Sequence, residues 1–340
     1  MLKYDLEEKS VRRFLKEHEA KRAAIQLPSG LRPELLKIVR VFEEESVEPV
    51  VMGGSCYGGC DLADAEAKRM GCDVLVHYGH ADMGLKTCLP TLYVEARMPV
   101  DPRGVVDSAL PQLSFKRVGL LTTVQHVSCL HEVAEVLRAH KFEPFIGKPG
   151  HRARYPGQLL GCDFGCARSI NSLVEGFLYL GTGDFHPLGA ALATRKKVLV
   201  VNPISGGVKQ IQSEVEDFLK RRRAIIARAA AGEHFGIIVS TKSGQIRFGL
   251  AARLAEELRH AGRVASVLVM DEVRPDEVED FGFDAFVCTA CPRIPLDDAK
   301  RFRCPVLTPQ EVEMMLGKTK FEPYKMDEFT EEDLSLEKIR

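Results

Sequence analysis

Long apolar runs are missing from this 340-residue chain: none approaches the roughly 18 residues needed to span a bilayer. An excess of charge of either sign is also missing. Lys plus Arg number 47 and Asp plus Glu 48, a net charge of -1, so there is no uniform basic field of the kind a general nucleic-acid binder carries. Cysteine is too sparse for a disulfide scaffold: ten residues are present, whereas such scaffolds exceed about 8–10%. The opening MLKYDLEEKSVRRFLKEHEAK is a charged helical pattern without the apolar stretch of a signal peptide. No Walker A loop occurs, no Gly-x-Gly-x-x-Gly opens a helix after a strand, and the Cys-x3-Cys-x2-Cys run of ordinary radical enzymes is absent. The expectation is a soluble, cytoplasmic protein. At 45% hydrophobic and 28% charged residues, wholesale disorder is excluded.

Short apolar runs alternate with amphipathic helical patterns from end to end. Ala23–Leu27 reads as a buried strand, Pro28-Ser29-Gly30 turns the chain, and Pro33–Glu45 carries the helical period. Further strands are expected at 49–52, 73–78 and 91–95. The pattern restarts at Val118–Val124 and at Gly236–Thr241. The segment leading to Gly79-His80-Ala81-Asp82 has counterparts leading to Gly181-Thr182-Gly183-Asp184 and to Ala290-Cys291. Near-continuous apolar strands separated by helices indicate parallel sheets covered on both faces. The fold expected is α/β: three similar small domains, each a parallel sheet flanked by helices, around a central site. Their bounds are 1–105 with an N-terminal helix, 106–207 and 208–317. Residues 318–340 are expected to be a polar surface extension or a dimer arm rather than a fourth unit, and Arg195-Lys196-Lys197 and Lys220–Arg223 a solvated surface, with docking of a partner as the alternative.

In parallel α/β sheets, ligands collect outside the carboxyl ends of the strands. Cys60 (GGSCYGGCD), Cys162 (PGQLLGCDFGC) and Cys291 (CTACPRI) fall at such ends, one in each unit, and a pseudo-threefold arrangement could bring the three thiolates to one point. Glycines around the first two allow close backbone approach to a bulky ligand. A competing reading takes Cys56-x3-Cys60 and Cys162-x3-Cys166 as a four-cysteine structural zinc site in a non-enzymatic ligand- or partner-binding protein. Cys288 lies inside an apolar strand, where a buried inert thiol is expected. Spacing alone leaves zinc and iron–sulfur both open.

At these residues the sequence resembles a known family. Tyr57-Gly58-Gly59-Cys60-Asp61, Gly157-Gln158-Leu159-Leu160-Gly161-Cys162 and Ala290-Cys291-Pro292-Arg293 are similar to the three cysteine motifs of the 2-(3-amino-3-carboxypropyl)histidine synthases of diphthamide biosynthesis. Gly181–Pro187 and Ser240–Gln245 match two further stretches, and the order is the family's over residues 20–310. The compact length resembles the archaeal homodimeric form. The resemblance implies a [4Fe–4S] cluster on Cys60, Cys162 and Cys291 and S-adenosylmethionine as cosubstrate. It implies cleavage to a 3-amino-3-carboxypropyl radical and methylthioadenosine, and addition of that radical to C2 of a histidine in translation elongation factor 2. An electron donor is implied as a partner; membrane and direct nucleic-acid contacts are not.

For the methionine end of the cofactor, whose carboxylate wants cations or N–H donors, Arg293, Lys242 and the turn at Pro28-Ser29-Gly30 are the candidates. Asp184 could accept from the ammonium or ribose. Gln158, Gly161, Thr241 and Gln245 belong to the same rim. His80 and His186 are candidate acid–base groups for removing the imidazole C2 proton.

Overall fold

The computed structural model describes residues 4–333. Among the described residues thirteen strands form three sheets. The first contains β1 (Arg22–Gln26), β2 (Glu48–Met52), β3 (Val74–Tyr78) and β4 (Thr91–Val94). The second contains β5 (Arg117–Thr122), β6 (Glu143–Ile146), β7 (Gly176–Leu180), β8 (Lys197–Val201) and β9 (Val208–Gln210). The third contains β10 (His234–Ser240), β11 (Val264–Met270), β12 (Ala285–Cys288) and β13 (Val306–Leu307). The spatial orders are β2-β1-β3-β4, β6-β5-β7-β8-β9 and β11-β10-β12-β13. Each sheet thus repeats one order, in which the first strand of the unit lies second. Every pairing is parallel except β8 with the added edge strand β9, which is antiparallel.

Alternation along each strand divides its side chains between two cores. In the first sheet Ala23, Ile25, Val74 and Val76 pack under helices 8–17 and 35–44, while Ala24 and Leu75 face Ala67, Cys72 and Leu89. Both faces are buried, which is why the strands read as continuous apolar runs. The helix expected over Pro33–Glu45 begins as a 3-10 turn at Ser29–Glu34 and becomes α at Leu35–Glu44. It buries Ile38, Val41 and Phe42, an i, i+3, i+4 stripe. The strand expected to reach Val124 stops at Thr122, where the chain turns into a 3-10 helix from Val124 to Cys129. Among the described residues no helix is long and apolar enough to cross a membrane.

Two surface expectations are not met. Within Lys220–Arg223, Arg222 is buried; its guanidinium holds Glu311, the N3 residue of a capping box on helix 309–315, and the Pro295 and Val306 carbonyls. The segment after 318 is not a polar extension over its described part, because Tyr324, Met326, Asp327 and Phe329 are all buried. Phe321, Tyr324 and Met326 pack into the second unit's core, and Asp327 and Glu328 pair with Arg247 and Arg168. Residues 334–340 lie outside the described part.

Candidate metal centre

The carboxyl ends of the three sheets meet, and loop-to-loop hydrogen bonds tie them together. Gly244, after β10, donates its N–H to the Cys60 carbonyl at 2.9 Å, and the Gln125 amide, after β5, donates to the Gly79 carbonyl beyond β3 at 2.7 Å. A Cβ on Gly244 would lie 2.6 Å from the Cys60 Cβ, so only glycine permits that approach.

Cys60 follows β2 in a turn closed by Asp61 N–H to Gly58 O. Cys162 sits at the tip of a tight reversal in which Leu160 and Asp163 exchange backbone bonds of 3.2 Å. The Asp163 carboxylate fixes that reversal by accepting from the N–H groups of Arg152, Ala153 and Gly165. Cys291 comes two residues past Thr289, whose carbonyl, with that of Ala290, is held by the buried guanidinium of Arg247. The three cysteines line one cavity of about 260 Å³. Burial pushes all three thiols above their ordinary range, Cys162 to about 12; for Cys291, repulsion from Cys60 and from Cys162 adds to this. Such thiols ionise together only when a metal takes their protons' place.

His80, His186, Gln158 and Gly161 line the same cavity, as do Gln245 and Arg293. Gln245 Nε2 donates to Cys60 Sγ at 3.4 Å. Gln158 Oε1 accepts from the Arg154 and Tyr155 N–H groups. Arg293 makes a forked pair with Asp297 and lies over the Phe185 ring.

Other expected cofactor contacts are elsewhere. Ser29 and Gly30 are exposed at the start of the 3-10 turn, and Pro28 packs on Gly79. Asp184 is paired with Lys209 at 2.8 Å, and Thr241 Oγ1 bonds Asp271. The Lys242 ammonium donates to Ser55, Asp61 and Glu272 at 2.7, 3.0 and 2.9 Å. An ammonium has three protons, so none is left for a carboxylate in the cavity. Of these side chains, Lys242 joins the third unit to the first, whereas Asp184 and Thr241 pair within their own units.

The paired-thiol zinc site does not form. Among the described residues the one group of three or more His, Cys, Asp or Glu ligand atoms lying within 4.8 Å of each other is Cys56, His77 and His80. Cys166 is buried in the core beside Phe164, and Cys288 is likewise sequestered.

The Cys56–His77–His80 group is organised by Gln26. The Gln26 Nε2 donates to the Ser55 and Asp61 carbonyls, so its Oε1 is the acceptor, taking Ala63 N–H at 3.1 Å and His77 Nδ1–H at 2.9 Å. His77 Nε2 therefore carries a lone pair, and it accepts from His80 Nδ1–H at 2.9 Å. The second lone pair of the chain ends on His80 Nε2. Burial lowers both imidazoles, His80 to about 4, which keeps them neutral. Burial and Arg293 bring His186 to about 4 as well.

Sequence reasoning missed Arg152, Arg247, Gln26 and Phe329. Gln26 and His77 had a signal: they are direct partners in the β1/β3 register. The arginines and Phe329 had none, because their partners lie far away along the chain.

Comparisons with known proteins identify the chain's family. A family described as "Putative diphthamide synthesis protein" matches residues 27–326. The 2-(3-amino-3-carboxypropyl)histidine synthase of Pyrococcus horikoshii is 41% identical over 330 residues, covering 96% of this chain and 94% of that one. The protein of the same name from Methanocaldococcus jannaschii is 29% identical, covering 91% and 87%. A solved structure, Dph2 from Pyrococcus horikoshii with a 4Fe-4S cluster, superposes with a TM-score of 0.90 at 40% identity, over 96% of this chain and 94% of that one. The chain belongs to the diphthamide synthesis protein family.

Proposed function

We propose that the chain is a 2-(3-amino-3-carboxypropyl)histidine synthase whose Cys60, Cys162 and Cys291 hold a [4Fe–4S] cluster and whose cosubstrate is S-adenosylmethionine. The observation that carries this reading is the meeting of three thiols, one from each sheet, in a single cavity. Three protein ligands for four irons leave one coordination position for substrate. When bound, the reduced cluster supplies one electron to the sulfonium of S-adenosylmethionine, giving a 3-amino-3-carboxypropyl radical and methylthioadenosine.

The chain's own share is binding, orientation and proton transfer. Arg293 and Gln158 offer donors to the methionine end, and Gln245 donates to a ligand sulfur. Addition of the radical at imidazole C2 would form a carbon–carbon bond; the aromatic ring would return on loss of the C2 proton and of one electron, which the cluster oxidised in the cleavage would take back. His80 Nε2 is the acceptor for that proton, since its Nδ1–H is committed to His77. His186, which lines the same cavity, is the alternative acceptor.

The protein substrate is elongation factor 2, and a one-electron donor, homodimerisation and a cytoplasmic setting complete the proposal. The test is anaerobic incubation with dithionite, S-adenosylmethionine and elongation factor 2. Methylthioadenosine and a histidine heavier by one aminocarboxypropyl group are expected. Release of 5′-deoxyadenosine instead, or no cleavage by iron-loaded protein, would contradict it.

A further inference from the structure

We propose that Arg152 is the counter-cation of the cluster site and that Phe329 holds it there, a role that rests on the cluster reading above. Arg152 is 2% exposed, yet among the described residues its guanidinium has no carboxylate partner. Its Nη2 donates to the Gly244 carbonyl at 2.7 Å, its Nη1 points at Cys162 Sγ at 3.9 Å, and its Nε is buried without a partner. A buried, unpaired cation is costly, and removal of its partner from such a pair typically costs several kcal/mol. The other buried guanidinium nearby, Arg247, has its carboxylate in Asp327. The anion that Arg152 lacks is therefore the one the cavity would hold. Three thiolates on a cluster with two positive charges carry one net negative charge, and one-electron reduction makes it two.

Phe329 fixes the cation's place. The guanidiniums of Arg152 and Arg247 both lie over its ring, each 4.2 Å from the ring centroid. Its N–H donates to the Cys162 carbonyl at 3.1 Å. Arg152 bonds the Gly244 carbonyl next to the Cys60 loop, and Arg247 the carbonyls before Cys291, so one aromatic ring joins the supports of all three ligands. A cation facing an anion favours the more negative redox state, so Arg152 eases reduction of the cluster, and Phe329 acts through it as a positioning residue.

The test compares anaerobically reconstituted wild type with Arg152→Gln, Arg152→Lys and Phe329→Leu. Iron per chain and the midpoint potential, read from the spin signal of the dithionite-reduced cluster, are measured for each. Arg152→Gln is expected at full iron with a more negative potential, Arg152→Lys between it and wild type, and Phe329→Leu shifted in the same direction with faster iron loss to a chelator. A wild-type potential in Arg152→Gln at full iron overturns the proposal. If Arg152→Gln fails to fold, unchanged potentials in both Arg152→Lys and Phe329→Leu overturn it. Wild-type protein that takes up no iron fails the cluster reading itself, a separate outcome.

Discussion

Gln26 and His77 face each other across β1 and β3, and the 2.9 Å bond from His77 Nδ1 to Gln26 Oε1 decides which nitrogen of His80 is free. Because the Gln26 amide nitrogen already serves two carbonyls, proton positions are dictated from the strand to the cavity wall. His80→Ala should therefore separate two steps. Methylthioadenosine release should continue, while modified histidine falls by about 10²–10⁴-fold, the usual worth of a general base. Equal losses in both products would assign His80 to cofactor binding instead.

Neutral, half-buried imidazoles also shape the pH dependence of stability. His80 and His186 are held near 4, below the unfolded value of about 6.5. Between those values the unfolded chain binds more protons, so stability rises with pH across that window and is lost as pH falls from about 6.5 towards 4. Denaturant midpoints measured over this range should drop for wild type and drop less for His186→Gln. Parallel curves for the two proteins would contradict the assignment.

The segment carrying Phe329 should matter for the fold well beyond what its polar sequence suggests. Asp327→Asn would leave the guanidinium of Arg247 buried without its anion, a change that costs about 3–5 kcal/mol. Glu322→Gln, which loses an exposed pair with Arg223, should cost about 0–1 kcal/mol. Chemical denaturation of the two variants measures the contrast.

Arg293 and Lys242 should behave differently despite their similar charge. Arg293→Gln should weaken S-adenosylmethionine binding, because that side chain borders the cavity. Lys242→Met should leave binding by the folded protein near wild type and lower stability, because it strands Asp61, itself buried. Equilibrium dialysis with labelled cofactor, paired with denaturation, tells the two apart.

Much of this arrangement is legible in the sequence because parallel strands buried on both faces announce themselves as apolar runs. Their ends then place Cys60, Cys162 and Cys291 at the carboxyl edges. The Gln26–His77 pair is legible only once the β1/β3 register is known. Arg152 and Lys242 are not legible, since a lone basic residue in a loop gives no hint of whether its partner is a carboxylate. Lys242 meets Asp61, 181 positions away, and Arg152 meets the Gly244 carbonyl, 92 positions away. The tail from Phe321 to Phe329 is a subtler case: aromatic residues at 321, 324 and 329 are diluted by charges, and the ion pairs that bury those charges are long-range.

The central claim is that three distant thiols share one cluster, and anaerobic iron analysis with absorption spectroscopy tests it most directly. About four irons per chain and a brown protein are expected for wild type and for Cys56→Ser and Cys166→Ser. Serine at Cys60, Cys162 or Cys291 should bleach the colour and lower the iron. A colourless protein loaded with zinc, losing its metal on substitution of Cys56 and Cys166 but not of Cys291, would contradict the account.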